Sequence, residues 1–208
     1  MKIVIASHNS HKIREFRTLF KPLKQFDVLS LHDFPKYKLP LETGDSFKEN
    51  AEIKAKDAAE KLGHYVVADD SGLVVPKLNN SPGVYSARYA GEEATDRENR
   101  RKLLDEMEGF ADIDRSAYYE CVLVLASPDR IIKSVSGKCE GQIVEEERGG
   151  SGFGYDPLFL KYDYDKTFAQ LPEATKIVIS HRGKAFEKMI PTLEHIKTIY
   201  FEANAVCD

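Results

Sequence analysis

Val66-Val67-Ala68-Asp69-Asp70-Ser71-Gly72 is a short apolar run that ends on two adjacent carboxylates and a Ser-Gly turn. Its length suits a buried strand, and ligands of open α/β sheets bind just beyond the carboxyl ends of such strands. Paired acids there are oxygen ligands suited to Mg²⁺, so the strand is expected to end at Asp69 with a catalytic metal at its tip. Asp-Asp-Ser-Gly is also ordinary turn chemistry, because Asp and Ser bond their own backbone and Gly reaches positive φ. What separates the two readings is the company this segment keeps.

Upstream, Lys2 to Ala6 reads as a first strand, and Ile13, Phe16, Leu19 and Phe20 then recur at helical spacing from about Asn9. Phe26 to Leu31 reads as a second strand, followed by a Pro-marked loop from Asp33 to Gly44. Ser46-Phe47-Lys48-Glu49 is a capping box, opening a helix whose Ala51, Ala55, Ala58, Ala59 and Leu62 form a small-residue face for close packing. Downstream, Leu73 to Val75 is expected to form a separate short strand, with a turn at Ser81-Pro82-Gly83. Thr95-Asp96-Arg97-Glu98 is a second capping box, starting a helix to about Gly109 with Leu103, Leu104 and Met107 inward. Ala117 to Ser127 and Arg130 to Glu146 read as a long antiparallel hairpin, and Gly149 to Gly154 as a Gly-rich loop. A last helix begins near His181, with Phe186, Met189, Leu193, Ile196 and Tyr200 on one side. The fold class is α/β with a mixed sheet.

The chain has 208 residues, enough for one substantial core, and its formal charge of -4 argues against a partner bound through a dense array of phosphates. A small anionic ligand held by a few local cations fits that charge. The longest apolar stretches, such as Cys121 to Ala126, are far shorter than the ~20 residues a bilayer span needs. The polar run from Ser7 to Lys12 follows Met1 to Ala6 too soon for a signal-peptide core, so a cytoplasmic location is expected. Cys121, Cys139 and Cys207 are widely spaced and read as reduced, mostly buried thiols.

Three further segments carry potential chemistry. Ser7-His8-Asn9-Ser10-His11-Lys12 lies at a strand-to-helix junction, where unpaired backbone N–H groups and the helix dipole attract anions. Lys12 can fold back toward the same anion, while His8 and His11 read as surface residues rather than metal ligands. Phe153-Gly154-Tyr155-Asp156-Pro157 offers a stacking face, close backbone approach and a hydrogen-bond acceptor, which suits a planar base. Ser180-His181-Arg182-Gly183, with Lys176 one turn earlier, gathers three cations around a helix start capped by Ser180. The Arg97, Arg100, Arg101 and Lys102 run reads as a solvated helix face.

In order along the chain, Ser7 to Lys12, Thr43-Gly44-Asp45-Ser46-Phe47-x-x-Asn50-Ala51, Ala68 to Gly72, Pro82-Gly83-Val84-Tyr85-Ser86-Ala87-Arg88-Tyr89, Phe153 to Pro157 and Ser180 to Gly183 resemble the inosine triphosphate pyrophosphatase family. These are hydrolases of non-standard purine nucleoside triphosphates. The resemblance spans nearly the whole chain and implies a single domain over residues 1–208. It implies an elongated two-lobed α/β fold with a central cleft, a cytosolic homodimer, Mg²⁺ dependence, and no nucleic-acid polymer or membrane as partner. It further implies hydrolysis of ITP, dITP and XTP to the monophosphate and pyrophosphate.

Carried over by position, Ser7, Asn9 and Lys12 would hold the triphosphate, His8, Ser10 and His11 would bind substrate in the same segment, and Lys12 would also stabilise charge in the reaction. Asp70 would serve as metal ligand and catalytic base, and Ser71 would contact substrate. Phe153, Gly154, Tyr155, Asp156, Lys176, His181 and Arg182 would contact the nucleotide, mainly around its base. Many bacterial members carry two glutamates before the Thr-Gly, whereas here Leu41 precedes a single Glu42, which leaves open whether Glu42 joins Asp70 at the metal. A septum-formation-type nucleotide pyrophosphatase is the nearest enzymatic rival, but its Ser-x-Ser-Pro-Arg-Arg start is absent. A nucleotide sensor without catalysis is disfavoured by the retention of Lys12 and Asp70.

Overall fold

The computed structural model describes residues 1–205. Among them, six strands form one sheet in the order β2-β1-β3-β4-β5-β6. In chain order these are β1 (Lys2–Ile5), β2 (Asp27–Ser30), β3 (Tyr65–Val74), β4 (Ser116–Ala126), β5 (Ile131–Ile143) and β6 (Phe159–Lys161). The helices are α1 (Ser10–Phe20), α2 (Phe47–Leu62), α3 (Asp96–Glu106), α4 (Glu173–Ile179) and α5 (His181–Ala205). β1 runs parallel to both β2 and β3, whereas β5 and β6 are antiparallel, so the sheet is mixed as the sequence predicts. The side chain of Tyr200 and the whole of Cys207 lie outside the described residues.

The chain divides into two compact units. The first comprises Met1–Asp70, Val122–Ser136 and the chain from Gly183 on. Its core sets the apolar β1 residues Ile3, Val4 and Ile5 with Phe16, Phe20 and Phe26, and Phe20 meets Phe186 edge-on with ring centroids 4.8 Å apart. Ala51, Ala55, Ala58 and Ala59 of α2 are completely buried, because a face without long side chains lets backbone approach backbone. The second unit comprises Ser71–Cys121 and Gly137–Arg182. There Leu73, Leu103 and Met107 pack with an aromatic set of Tyr119, Phe159 and Phe168. Tyr119 and Phe159 meet at 4.8 Å and Phe159 and Phe168 at 4.9 Å.

Three sequence expectations change. The strand does not end at Asp69, and Leu73–Val75 is not a separate element: β3 runs without a break from Tyr65 to Val74. Its carboxylates bond side chains rather than their own backbone, so nothing turns the chain there. Gly72 also removes the obstacle, since a Cβ at that position would collide with Ser86 Oγ and the Gly83 carbonyl. Ser86 is fixed in turn, accepting the Leu73 N–H at 2.9 Å and donating to the Gly83 carbonyl at 2.6 Å. Gly72→Ala is therefore expected to cost about 1–3 kcal/mol, read as a lower denaturation midpoint, because a backbone carbonyl has no rotamer by which to yield.

The second change concerns β6 and α4, which sequence patterning did not reveal; each is shorter than two full periods of its pattern. Third, the basic run on α3 is only partly solvated. Arg97 and Arg101 are exposed, but Arg100 bonds the Gly154 carbonyl and Lys102 bonds the Tyr89 carbonyl. The α3 capping box forms as expected, Thr95 with Glu98. On α2, Ser46 caps Glu49, but the Glu49 carboxylate reaches the Asp45 N–H at 2.8 Å instead of Ser46.

Candidate active site

The loop between β1 and α1 is self-supporting. Ser7 Oγ accepts the Asn9 N–H at 3.1 Å, and Asn9 Oδ1 caps α1 by accepting the N–H groups of His11 and Lys12 at 2.9 and 3.1 Å. His8, Ser10 and His11 are exposed, and His8 meets His32 edge-on at 5.8 Å. Lys12 turns back toward the sheet and pairs with Asp69 of β3 at 2.9 Å. The two adjacent acids thus take different lysines.

Asp70 bonds Lys54 through Oδ1 at 3.2 Å and accepts the Asn50 side-chain N–H at Oδ2 from 3.3 Å. Asn50 is oriented by its other end, where Oδ1 accepts the Gly44 N–H at 2.8 Å. Lys54 also donates to Glu42 at 2.9 Å. Burial pushes the Asp70 carboxyl above its ordinary value, and the attraction of Lys54 and Lys12 only partly offsets this. For Lys54, burial works against the ammonium, but Asp70, Asp69 and Glu42 outweigh it and its pKa rises. Three carboxylates surround two lysines, so acids outnumber bases in this cluster by one.

That surplus fits a hard divalent cation. Asp70 and Glu42 both aim a carboxylate oxygen at one positively charged atom, Lys54 Nζ, and Mg²⁺ typically takes one or two carboxylates and completes its shell with phosphate oxygens and water. Among the described residues no group of three or more His, Cys, Asp or Glu side chains is gathered to hold a metal alone. Asp70 and Glu42 are the pair of carboxylates here that could hold such an ion.

Asn50 lies in a motif segment but has no role assigned to it from sequence, and Lys54 lies in no motif, although a signal for both exists. They share the buried stripe of α2 with Ala51, Ala55 and Ala58. A lysine within a buried stripe demands carboxylate partners, which long charged side chains otherwise find in water.

In the second unit, Asp156 is buried and accepts the Phe153 N–H at 3.0 Å and the Lys176 ammonium at 2.6 Å. Lys176 Nζ also sits 5.0 Å from the centre of the Phe153 ring. Tyr155 donates from its hydroxyl to the Ser86 carbonyl at 3.0 Å. The His181 ring stacks on Tyr119 at 4.7 Å with an interplanar angle of 11°. Arg182 is among the most deeply buried large side chains and donates to Ser71 Oγ at 2.9 Å. Ser180 donates to the Ile177 carbonyl at 3.2 Å, at the end of α4. Phe153, Asp156, Lys176, His181, Arg182 and Ser71 thus all fall in one unit, while Ser7, Asn9, Lys12, Glu42 and Asp70 fall in the other.

The Ham1 family model matches residues 3–192. The chain is 54% identical to a dITP/XTP pyrophosphatase of Protochlamydia amoebophila, over 95% of this chain and 100% of that protein. It is 52% identical to a dITP/XTP pyrophosphatase of Chlamydia abortus, over 94% and 96% of the respective lengths. Among solved structures, the Ham1 protein of Staphylococcus aureus aligns with a TM-score of 0.83 at 41% identity, covering 94% of this chain and 99% of that one.

Proposed function

The chain belongs to the Ham1 family, and from that membership together with the Asp70 cluster we propose that it is a Mg²⁺-dependent nucleoside triphosphate pyrophosphatase acting on non-standard purine nucleotides. The reaction is hydrolysis of the bond between the α and β phosphates of ITP, dITP and XTP, giving the monophosphate and pyrophosphate. The single domain acts as a cytoplasmic homodimer. The observation that carries this reading is the set of three acids and two lysines centred on the buried Asp70 and Lys54.

Asp70 takes a proton from the attacking water at one carboxylate oxygen. Burial in the folded protein raises the carboxyl's pKa, the direction that suits a proton acceptor. The Asn50 amide fixes the rotation of that carboxylate, so the accepting lone pair is aimed before substrate arrives. Lys12 exchanges Asp69 for phosphate oxygens and, with Ser7, Asn9 and the N-terminus of α1, holds the triphosphate. Asp70 and Glu42 would hold Mg²⁺, whose positive charge would offset that of the departing pyrophosphate. Ser71, Phe153, Gly154, Tyr155, Asp156, Lys176, His181 and Arg182 bind the nucleotide around its base.

Selectivity follows from the 6-position of the purine. Inosine and xanthosine carry an oxo group there and adenosine an amine, so a buried donor matched to the oxygen opposes the amine of adenine. Sites of this kind discriminate by about 10⁴. Accordingly, ITP, dITP and XTP are expected to be turned over much faster than ATP in the presence of Mg²⁺, with pyrophosphate as product; guanine shares the 6-oxo group, so the equally slow turnover expected of GTP requires separate rejection of its 2-amino group. Equal rates on all five nucleotides, or orthophosphate as the sole product, would remove the assignment.

A further inference from the structure

Helix α3 grips one residue of the Phe153–Asp156 loop from both sides. Asp96 Oδ2 accepts the Gly154 N–H at 2.7 Å, and Arg100, one turn further along the helix, donates from Nη1 to the Gly154 carbonyl at 2.9 Å. Both polar backbone groups of Gly154 are therefore taken by side chains of a single helix. Gly154 stands at φ +60°, a conformation that side-chain-bearing residues rarely adopt, so its peptide geometry has to be held. Arg100 is itself braced, with its Nε 2.9 Å from Glu147 and its side chain only 14% exposed.

The same helix holds the segment against which the loop rests. Asn99 accepts the Ala90 N–H at 2.7 Å and donates to the Ala87 carbonyl at 3.1 Å, while Lys102 donates to the Tyr89 carbonyl at 2.8 Å. Tyr155, next to Gly154, bonds the Ser86 carbonyl of that segment. Loop and support are thus fastened to one rigid element.

We propose that Asp96 and Arg100 are positioning residues that set the Phe153–Asp156 loop at the register needed to read a purine base. This rests on the reading of that loop as the base site given above. A base held by a displaced loop loses contacts made equally in the ground and transition states, so release of the two-sided grip should show in KM rather than in kcat.

The test uses Asp96→Ala, which removes the acceptor, and Arg100→Met, which removes the donors but keeps the aliphatic stem, singly and combined. The combined variant is expected to raise the KM for dITP about tenfold or more while kcat stays within about threefold, the pattern of lost binding that does not touch the chemical step. Inhibition by inorganic pyrophosphate should be unchanged, since Ser7, Asn9 and Lys12 hold it. Arg100→Lys should recover part of the KM, and amide exchange at Gly154 should accelerate in Asp96→Ala.

Unchanged KM together with unchanged Gly154 exchange overturns the proposal. So does a KM increase matched by an equal loss of pyrophosphate inhibition and a lower melting midpoint, which marks general destabilisation. Absence of any purine triphosphate turnover by the wild-type protein overturns the assignment of the loop to a base. That failure is distinguishable from failure of the grip, because the exchange measurement needs no turnover.

Discussion

Asp70→Asn should reduce kcat by roughly 10²–10⁴ while leaving the protein folded, because it removes the proton acceptor but keeps the shape. The electrostatics of the site make this separation of effects possible. The folded protein holds the Asp70 carboxyl above its ordinary pKa, so the fold favours the protonated form over the charged one. The stability this group contributes is present below the unfolded-state pKa and is lost as pH rises through the folded value. A neutral amide at neutral pH therefore relieves part of the surplus negative charge, and the melting midpoint should hold or rise slightly. Asn also keeps a side-chain oxygen for the Asn50 N–H, with the amide turned accordingly. Calorimetry and a pyrophosphate-release assay on the same preparation check both halves, and turnover near the wild-type rate in the folded variant would remove Asp70 from the mechanism.

Lys54→Ala should do the opposite to stability. It withdraws the ammonium that bonds Asp70 and Glu42 and leaves the buried Asp70 carboxylate without it, and losing one partner of a buried pair costs about 3–5 kcal/mol. The variant should melt well below the wild type in the absence of divalent ions and should also be nearly inactive. Because the two carboxylates then lack their shared cation, added Mg²⁺ should raise its midpoint more than that of the wild type. A variant as stable as the wild type without Mg²⁺, or one indifferent to Mg²⁺, would show that Lys54 does not bind the cluster together.

Much of this architecture was legible in the residues. Periodicity locates β1, α1, α2 and the β4–β5 hairpin, and the capping residues Asn9, Ser46 and Thr95 mark their helices within a residue. The motif segments around Asp70 and Lys12 also converge in one unit. What stayed hidden shares a cause: it depends on partners remote in the chain. The strand read as ending at Asp69 because Asp-Asp-Ser-Gly is also turn chemistry, whereas Lys12, Lys54 and Asn50, remote in the chain, bond the two carboxylates within the strand. Arg100 read as solvated because nothing near it in sequence announces a carbonyl 54 residues away.

The alanine face of α2 acquires a second meaning beside Lys54. Methyl-sized side chains at positions 51, 55, 58 and 59 set how near the helix axis comes to β3, and that distance fixes the reach of the Lys54 ammonium to Asp70. The face is a spacer as much as a piece of core. Enlarging Ala55 would widen the gap and detune the charge balance without touching any ionisable group, so the pairing of Lys54 with Asp70 is written partly in residues that carry no charge of their own.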